Sequence, residues 1–184
     1  MQDYQSKPVG ELARQLQAGP MRLRKGYIDS AEALLGIIEP HLEYPYEFIV
    51  YRLTGYRSRR RASTGPVSGA NLISDLQQLV LDICNNFDLR TTDYDEAVFD
   101  TPSLAGKFGV STKTIQRWRK GGLVARRMVF DNGKKRIAFL ESSVRIFAKR
   151  RRRLILRSAR FTRLTKSERN DIIHQARRMV SHSK

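Results

Sequence analysis

The sequence is poor in the features that define several large classes of protein. Cys84 is the only cysteine in 184 residues, so no intrachain disulfide can form and a secreted disulfide scaffold is excluded. No apolar run approaches the ~20 residues that span a bilayer, and the N-terminus has no signal-peptide pattern. His41, His174 and His182 show no metal-ligand spacing with one another or with the cysteine. We therefore expect a cytoplasmic chain with no metal, no cofactor and no membrane partner.

Signatures of catalysis are also missing. The chain contains no nucleophile–base constellation, no P-loop and no glycine-rich dinucleotide turn. The acids between residues 88 and 100 form no recognisable catalytic pair and indicate a charged linker. The sequence thus predicts a protein that is not an enzyme.

Acidic residues are few, and the two charges are unevenly distributed. Asp and Glu number 18 against 35 Lys and Arg, which gives a net charge of +17. Residues 1–100 hold 11 Lys and Arg against 14 Asp and Glu, whereas residues 101–184 hold 24 against 4. A basic half joined to a mildly acidic half is typical of a nucleic-acid-binding protein with an appended interaction domain.

The front half has a helical pattern. A short helix over residues 11–16 is followed by a longer one between Pro20 and Pro40. Residues 44–56 are ambiguous: their aromatic and β-branched content suits a strand, but a proline near the start and a glycine near the end favour a helix. After a loop at residues 57–68 comes a helix with a well-formed apolar stripe, which consists of Leu72, Leu76, Leu79, Val80, Ile83 and Phe87.

The basic half opens with the pattern of two short helices joined by a tight turn. Pro102 suits the first turn of a helix, and Gly109 supplies the turn because glycine adopts positive φ without steric cost. Ser111 can cap the second helix, which Gly121 and Gly122 end. Ile115 and Trp118 share one face of this second helix, where they can pack on the first helix, and the opposite face is polar.

A β-hairpin and a third helix follow. Two β-prone runs flank Asn132 and Gly133, and Asn-Gly fits a two-residue type I′ turn. Ser142 or Ser143 can cap the third helix, which ends in five successive cations. A helix C-terminus attracts cations, but five exceed that need, so contact with phosphate is favoured over a solvated helix end. A last helix is predicted at the C-terminus from a capping box of Thr165 and Glu168.

These patterns predict a set of DNA contacts. Amide and cationic side chains on the second helix can reach base edges, and the other cations can lie along the phosphate backbone. The predicted contacts are Ser111, Thr112, Lys113, Gln116, Arg117, Lys120, Lys134, Lys135, Arg136, Lys149, Arg150, Arg151, Arg152 and Arg153. For the second helix the simpler interpretation is a solvated polar face, which the flanking motif disfavours.

Residues 110–123 resemble the winged helix-turn-helix of the MerR and excisionase families. They match the pattern V-S-x-x-T-[IL]-x-R-W-x-x-x-G-L, which extends from Val110 to Leu123. The resemblance implies a module in which the second helix enters the major groove of DNA and the hairpin forms a wing.

The chain as a whole resembles the N-terminal part of a group of bacterial RNA polymerase sigma factors. The similarity is carried by Y-P-Y-E-F at 44–48, L-T-G-Y-R at 53–57, S-T-K-T-I at 111–115, and R-F with L-T at 160–165. It implies RNA polymerase core as a partner of the front half. The surface expected to dock on such a partner is an aromatic cluster, which consists of Tyr44, Tyr46, Phe48, Tyr51 and Tyr56.

The sequence therefore predicts a mainly α fold in four parts. These are a helical interaction domain at 1–90, an acidic linker at 91–100, a winged helix-turn-helix with one short β-hairpin at 101–153, and a basic linker with a C-terminal helix at 154–184. The predicted function is a sequence-specific transcription factor that binds double-stranded DNA, is associated with the nucleoid and is related to sigma factors. The alternative is an excisionase-like accessory or architectural DNA-binding protein that acts in recombination. The sequence leaves open whether the chain forms a homodimer.

Overall fold

The computed structural model describes residues 4–57 and 64–160, together with residues 173, 174 and 178. The protein is mainly helical with a small antiparallel sheet. The capping box predicted for the C-terminal helix lies outside the described residues, whereas Ile173, His174 and Arg178, which fall in that predicted helix, are helical. Within the described ranges, none of the helices combines the length and apolarity needed to cross a membrane.

In residues 4–57 and 64–90, the front half has four helices and one two-stranded ladder. The helices are α1 (Lys7–Ala18), α2 (Met21–Leu35), α3 (Tyr46–Thr54) and α4 (Gly69–Asn85). Strands β1 (Glu43–Tyr44) and β2 (Val67–Ser68) pair antiparallel and bracket α3. The helical interpretation of residues 44–56 is confirmed for Tyr46–Thr54, whereas Tyr44 belongs to β1. Gly55 ends α3 in the left-handed conformation that glycine favours.

Residues 91–160 contain a three-stranded sheet and four helices. A single 3-10 turn at Thr91–Asp93 leads to β3 (Val98–Asp100), and the remaining elements follow in chain order. They are α5 (Thr101–Phe108), α6 (Thr112–Lys120), β4 (Arg126–Val129), β5 (Lys135–Leu140), α7 (Glu141–Arg150) and α8 (Arg152–Arg160). Strand β5 lies in the middle of the sheet and pairs antiparallel with both β3 and β4.

Several segments differ from the sequence-based expectation. The segment assigned to an acidic linker contains β3, because Val98, Phe99 and Asp100 pair with β5. The first residues after Arg153, assigned to a basic linker, belong to α8, where Ile155 packs against apolar residues of the basic half. At β3 the partner strand lies far away in the sequence.

The hairpin is present, but the predicted turn type is wrong. Gly133 has φ +72°, whereas no residue other than glycine has positive φ among those described, so Asn132 cannot occupy a type I′ position. The Phe130 carbonyl accepts from the Gly133 amide at 2.8 Å, and the Phe130 amide donates to Lys134 at 3.1 Å. This is a three-residue loop in which a turn is followed by a left-handed glycine, the usual G1-bulge arrangement.

The cap predicted for the third helix is also wrong. Neither Ser142 nor Ser143 is the N-cap of α7, which is Leu140 and offers no side-chain acceptor. Glu96 takes that role from outside the helix, because its carboxylate accepts from the Ser142 amide at 2.6 Å and from the Ser142 hydroxyl at 2.9 Å. A carboxylate at a helix N-terminus is also favoured by the helix dipole.

The hydrophobic interior consists of two clusters that meet at the sheet. The larger is formed by α1 to α4 and extends to Met128, Ala138 and Leu140 of the sheet. The smaller packs α5, α6 and α7 around Phe139. Since alternate residues of a strand point to opposite faces, β5 supplies side chains to both clusters. The front half and the basic half therefore share the sheet between them.

A buried ion cluster joins the two halves at the same place. Arg126 of β4 is 3% exposed and donates to Glu32 and Asp29 of α2 and to the Tyr94 hydroxyl. Burial raises the pKa of Glu32, although Arg126 acts in the opposite direction. Burial also opposes ionisation of Asp29, but the hydrogen bonds from Arg126 and Lys25 prevail and lower its pKa. The guanidinium is thus held by carboxylates from a helix nearly a hundred residues earlier in the chain.

Candidate nucleic-acid interface

Helix α6 is positioned by local sequence signals that act as predicted. Ser111 is its N-cap, and its hydroxyl accepts from the Thr114 amide at 3.2 Å. Gly109 ends α5 with φ +62°, which turns the chain sharply into α6. Gly121 follows the last residue of α6, and Gly122 leaves it with φ +108°. The two helices and their turn therefore have the boundaries that the sequence indicated.

Aromatic packing fixes the orientation of α6. Ile115 is fully buried and Trp118 is 2% exposed. The Trp118 ring contacts Phe108 of α5 edge-on at 5.3 Å and Phe147 of α7 at 5.7 Å between centroids. The prediction that Trp118 belongs to the interior is confirmed. With this face buried, the opposite face of α6 must point away from its partner helices.

The exposed face of α6 carries cationic and amide side chains. Lys113, Gln116, Arg117 and Lys120 are all exposed, and so is Thr112 in the first turn. No described ion pair involves any of these residues. Ser111 differs from them because it is half-buried and its oxygen is occupied by the cap. The side chains that can donate to an external acceptor thus begin at the first turn of the helix.

One flank of α6 lies close to α4. Gln116 and Lys120 line a cleft of about 580 Å³ together with Gln77 and Gln78 of α4. The Gln77 amide donates to the Arg119 carbonyl at 3.1 Å, which ties the C-terminal end of α6 to the front half. The N-terminal part of α6 is therefore the more open part of the polar face.

The cations of the hairpin have different environments. Lys134 is exposed in the turn. Lys135 instead donates to the carbonyls of Asn85 and Phe87 and to the Asp88 carboxylate, at 3.1 to 3.2 Å. Its ammonium group therefore closes the C-terminal end of α4, a position that favours a cation, and its predicted contact with phosphate does not fit this placement.

Arg136 is shared between the hairpin and the start of α5. Its guanidinium lies 3.5 Å from the Asp100 carboxylate and over the Phe130 ring, 5.9 Å from the ring centroid. The side chain remains 42% exposed. The guanidinium can therefore contact a phosphate only if its ion pair with Asp100 breaks or if it binds both groups at once.

The run of five cations extends from the end of α7 into α8. Lys149, Arg151, Arg152 and Arg153 are exposed. Arg150 donates to the backbone carbonyls of Leu35 and Gly36 at the end of α2. Arg150 is thus a predicted DNA contact whose side chain, like that of Lys135, binds backbone carbonyls at the C-terminal end of a helix of the front half. Arg150 is also exposed, and it lines a cavity with Arg151 and with Lys120 at the end of α6.

Two further arginines, Arg119 and Arg127, are not among the DNA contacts predicted from the sequence. Arg119 is half-buried in the cleft beside α4, and its Nε has no hydrogen-bond partner among the described residues. Arg127 of β4 is exposed and lies close enough to Arg119 to contribute to lowering its pKa, after the larger effect of burial. The alternation of buried Arg126 with exposed Arg127 is the period of a strand, and that pattern could have identified Arg127 as a surface cation.

The described residues contain no group of three or more His, Cys, Asp and Glu side chains that could hold a metal ion. Comparison of the chain with protein-family models, with curated proteins and with solved structures finds no match.

Proposed function

We propose that this protein is a sequence-specific DNA-binding transcription factor that contacts duplex DNA through α6. The observation that carries the proposal is the division of α6 into two faces. One is anchored by Ile115 and Trp118, and the other exposes cationic and amide donors without partners among the described ion pairs. A helix held rigidly on one side with donors on the other is what major-groove recognition requires.

The arrangement is interpreted as a winged helix-turn-helix. In this interpretation α5 and α6 form the helix-turn-helix, and the hairpin of β4 and β5 is the wing. Gln116 and Arg117 have the amide and guanidinium groups that read adenine and guanine edges. Lys113, Lys120 and Lys134 have point charges suited to phosphates. Base contacts would specify the site, while phosphate contacts would orient the protein on it.

The basic run supplies further exposed cations. Lys149, Arg151, Arg152 and Arg153 are exposed beyond the helix-turn-helix. Such a cluster neutralises phosphates and releases counterions, which strengthens binding without sequence preference. It adds affinity to the contacts of α6.

We further propose that the protein is related to sigma factors and that its front half contacts RNA polymerase core. Tyr51 is 40% exposed and Tyr56 is 65% exposed, whereas Tyr44, Tyr46 and Phe48 are partly buried and pack against the larger cluster. The aromatic side chains available to a partner are thus the two at the end of α3. Polymerase binding should depend on Tyr51 and Tyr56 more than on Tyr46 and Phe48.

The second candidate is an excisionase-like architectural protein. It is favoured by the exposed cations outside α6, because backbone contacts of this kind can hold bent DNA without reading its sequence. Binding to isolated polymerase core in the absence of DNA distinguishes the two candidates. A transcription factor of the sigma type should bind the core, and an accessory recombination protein should not.

The DNA-binding proposal is tested by fluorescence anisotropy with the full chain and a selected duplex over a range of salt concentrations. With about six phosphates contacted, the logarithm of affinity should fall with the logarithm of salt at a slope of about −5. Arg117→Ala should lose ~1–3 kcal/mol of preference for the selected site over a random duplex. Lys134→Ala should weaken both duplexes about equally.

Arg22→Ala is the matched control, because it removes the same charge from an exposed position on α2. It should leave both affinities almost unchanged. Affinity that does not vary with salt, or an Arg117→Ala variant that keeps its full site preference, would contradict recognition through α6.

A further inference from the structure

A second cavity, of about 600 Å³, lies where the front half meets the end of α6. Its walls come from the end of α2 and the following loop, from α4, from the segment after α6, and from α7. The larger apolar side chains that line it are Leu35, Ile38, Ile73, Val124, Ile146 and Phe147. Cavities of roughly 300–1,000 Å³ with apolar walls and a few polar groups are typical small-molecule sites.

Two polar atoms at this cavity lack hydrogen-bond partners among the described residues. They are Oε1 of Glu32 and Oγ of Ser143, and both are buried. The Glu32 side chain is 12% exposed and Ser143 is 6% exposed. Both residues also line a smaller adjoining cavity of about 350 Å³, so they lie where the two spaces meet. Buried polar atoms are nearly always paired in folded proteins, and these two are available to a molecule in the cavity.

Charge restricts the chemistry of that molecule. The other carboxylate oxygen of Glu32 already accepts from Arg126. Lys120, Arg150 and Arg151 line the cavity and are themselves exposed, so they lie at its solvent side. Glu39 also lines the cavity and is exposed, so its solvent side carries three cations and one carboxylate, and a cationic ligand would be repelled by the three cations. A neutral donor suits Oε1, which accepts when the carboxylate is ionised, and Ser143 can either donate or accept.

We propose that this cavity binds a small, neutral, largely apolar molecule whose buried end carries a hydroxyl or N–H group that donates to Glu32 Oε1 and pairs with Ser143 Oγ. The apolar part of the molecule lies against Ile38, Ile73 and Ile146. This inference does not depend on the proposed DNA binding, because the cavity can be occupied in the absence of DNA.

The experiment uses the full chain with carbon-13-labelled isoleucine methyl groups and two matched probes. The first probe is 4-butylphenol, and the second is 4-butylanisole, in which the donor is methylated. We expect 4-butylphenol to shift the methyl signals of Ile38, Ile73 and Ile146 in a saturable manner. Ile28 and Ile49, which are fully buried and do not line the cavity, should keep their signals. The anisole should bind at least about tenfold more weakly, since it leaves the buried acceptor unpaired.

Two serine variants locate the polar contact. Ser143→Ala removes an oxygen that has no hydrogen-bond partner in the described part of the chain, so the fold should persist while affinity for 4-butylphenol falls severalfold. Ser74→Ala, at an exposed serine of α4 outside this cavity, should bind like the wild type. The proposal is overturned by an absence of saturable shifts, which would mean that the cavity holds solvent only. Equal affinity for the two probes, or an unchanged affinity of Ser143→Ala, overturns it as well.

Discussion

Trp118 holds α6 in place through contacts on two sides. Its ring is wedged between Phe108 and Phe147 and is almost completely buried. Trp118→Ala should therefore leave a cavity and lower the free energy of unfolding by ~3–5 kcal/mol. Chemical denaturation of the variant measures this loss directly.

Arg117→Ala provides the comparison at the adjacent position. Arg117 is exposed and makes no described ion pair, so its removal should change stability by no more than ~0.5 kcal/mol. A Trp118→Ala variant as stable as Arg117→Ala would show that the ring does not support the fold.

Arg126 contributes to stability through a buried ion pair rather than through apolar packing. Arg126→Met should cost ~3–5 kcal/mol, because it leaves the Glu32 carboxylate buried without its counter-charge. Adding Glu32→Met should recover most of that loss, since two apolar side chains of similar volume replace the pair. Urea denaturation of the two single variants and the double variant measures the coupling. Additive losses would mean that the two side chains act independently.

At the scale of the element, α5 depends on a cap that titrates. Hydrogen bonds from the Ser103 hydroxyl and amide to Asp100 lower the pKa of that carboxyl below its ordinary value of 3.8. The stabilisation is therefore fully present above that ordinary pKa and is lost as pH falls towards the lower pKa of the folded state.

Asp100→Ala should consequently cost ~0.5–2 kcal/mol at neutral pH. The difference in stability between the wild type and the variant should shrink as the solution is acidified below the ordinary pKa of the carboxyl. Thermal unfolding at a series of pH values measures the difference. A difference that stays constant down to strongly acid pH would argue against capping by the charged carboxylate.

The elements themselves differ in how far the sequence could predict them. Ser111, Gly109 and the apolar spacing of Ile115 and Trp118 act within a few residues, so the bounds and buried face of α6 could be predicted. At other helix ends, the groups that pair with the free backbone amides or carbonyls come from residues far away in the sequence. Asp75 of α4 accepts hydrogen bonds from the backbone amides of Gln5 and Ser6 at the start of α1. No pattern among the neighbouring residues predicts such a contact.

The residues of the candidate interface also divide into those whose placement the sequence could predict and those whose placement it could not. The exposure of Lys113, Gln116 and Arg117 follows from helical periodicity alone. Lys135 and Arg150 belong to equally basic stretches, yet their side chains reach the ends of α4 and α2. Composition predicts that a region is basic, but it does not distinguish a cation that faces solvent from one that closes a helix of another region.

At the scale of the whole molecule, the two halves are interdependent. The sequence-based division of the chain treats residues 101–153 as a module separate from the helical domain at 1–90. Met128, Ala138 and Leu140 of that module are buried among residues of the front half, and Arg126 is paired with α2. A fragment of residues 101–153 would expose all four.

We therefore expect the fragment of residues 101–153 to lack a cooperative thermal transition, whereas the full chain unfolds cooperatively. Differential scanning calorimetry and near-ultraviolet circular dichroism measure the difference, with the full chain as the control. A fragment that melts cooperatively would show that the smaller cluster around Phe139 suffices for folding.

The central strand also limits how the chain can change in length. Ala138 and Leu140 face the larger cluster while Phe139 between them faces the smaller one. Inserting a single residue into β5 would exchange these faces, placing the Phe139 side chain among the helices of the front half. An insertion in the exposed loop at residues 131–133 would leave that order untouched. Insertions and deletions should therefore be tolerated at the hairpin tip and not in β5. In a library of single-residue insertions across residues 130–140, almost all variants that fold should carry the insertion in the loop.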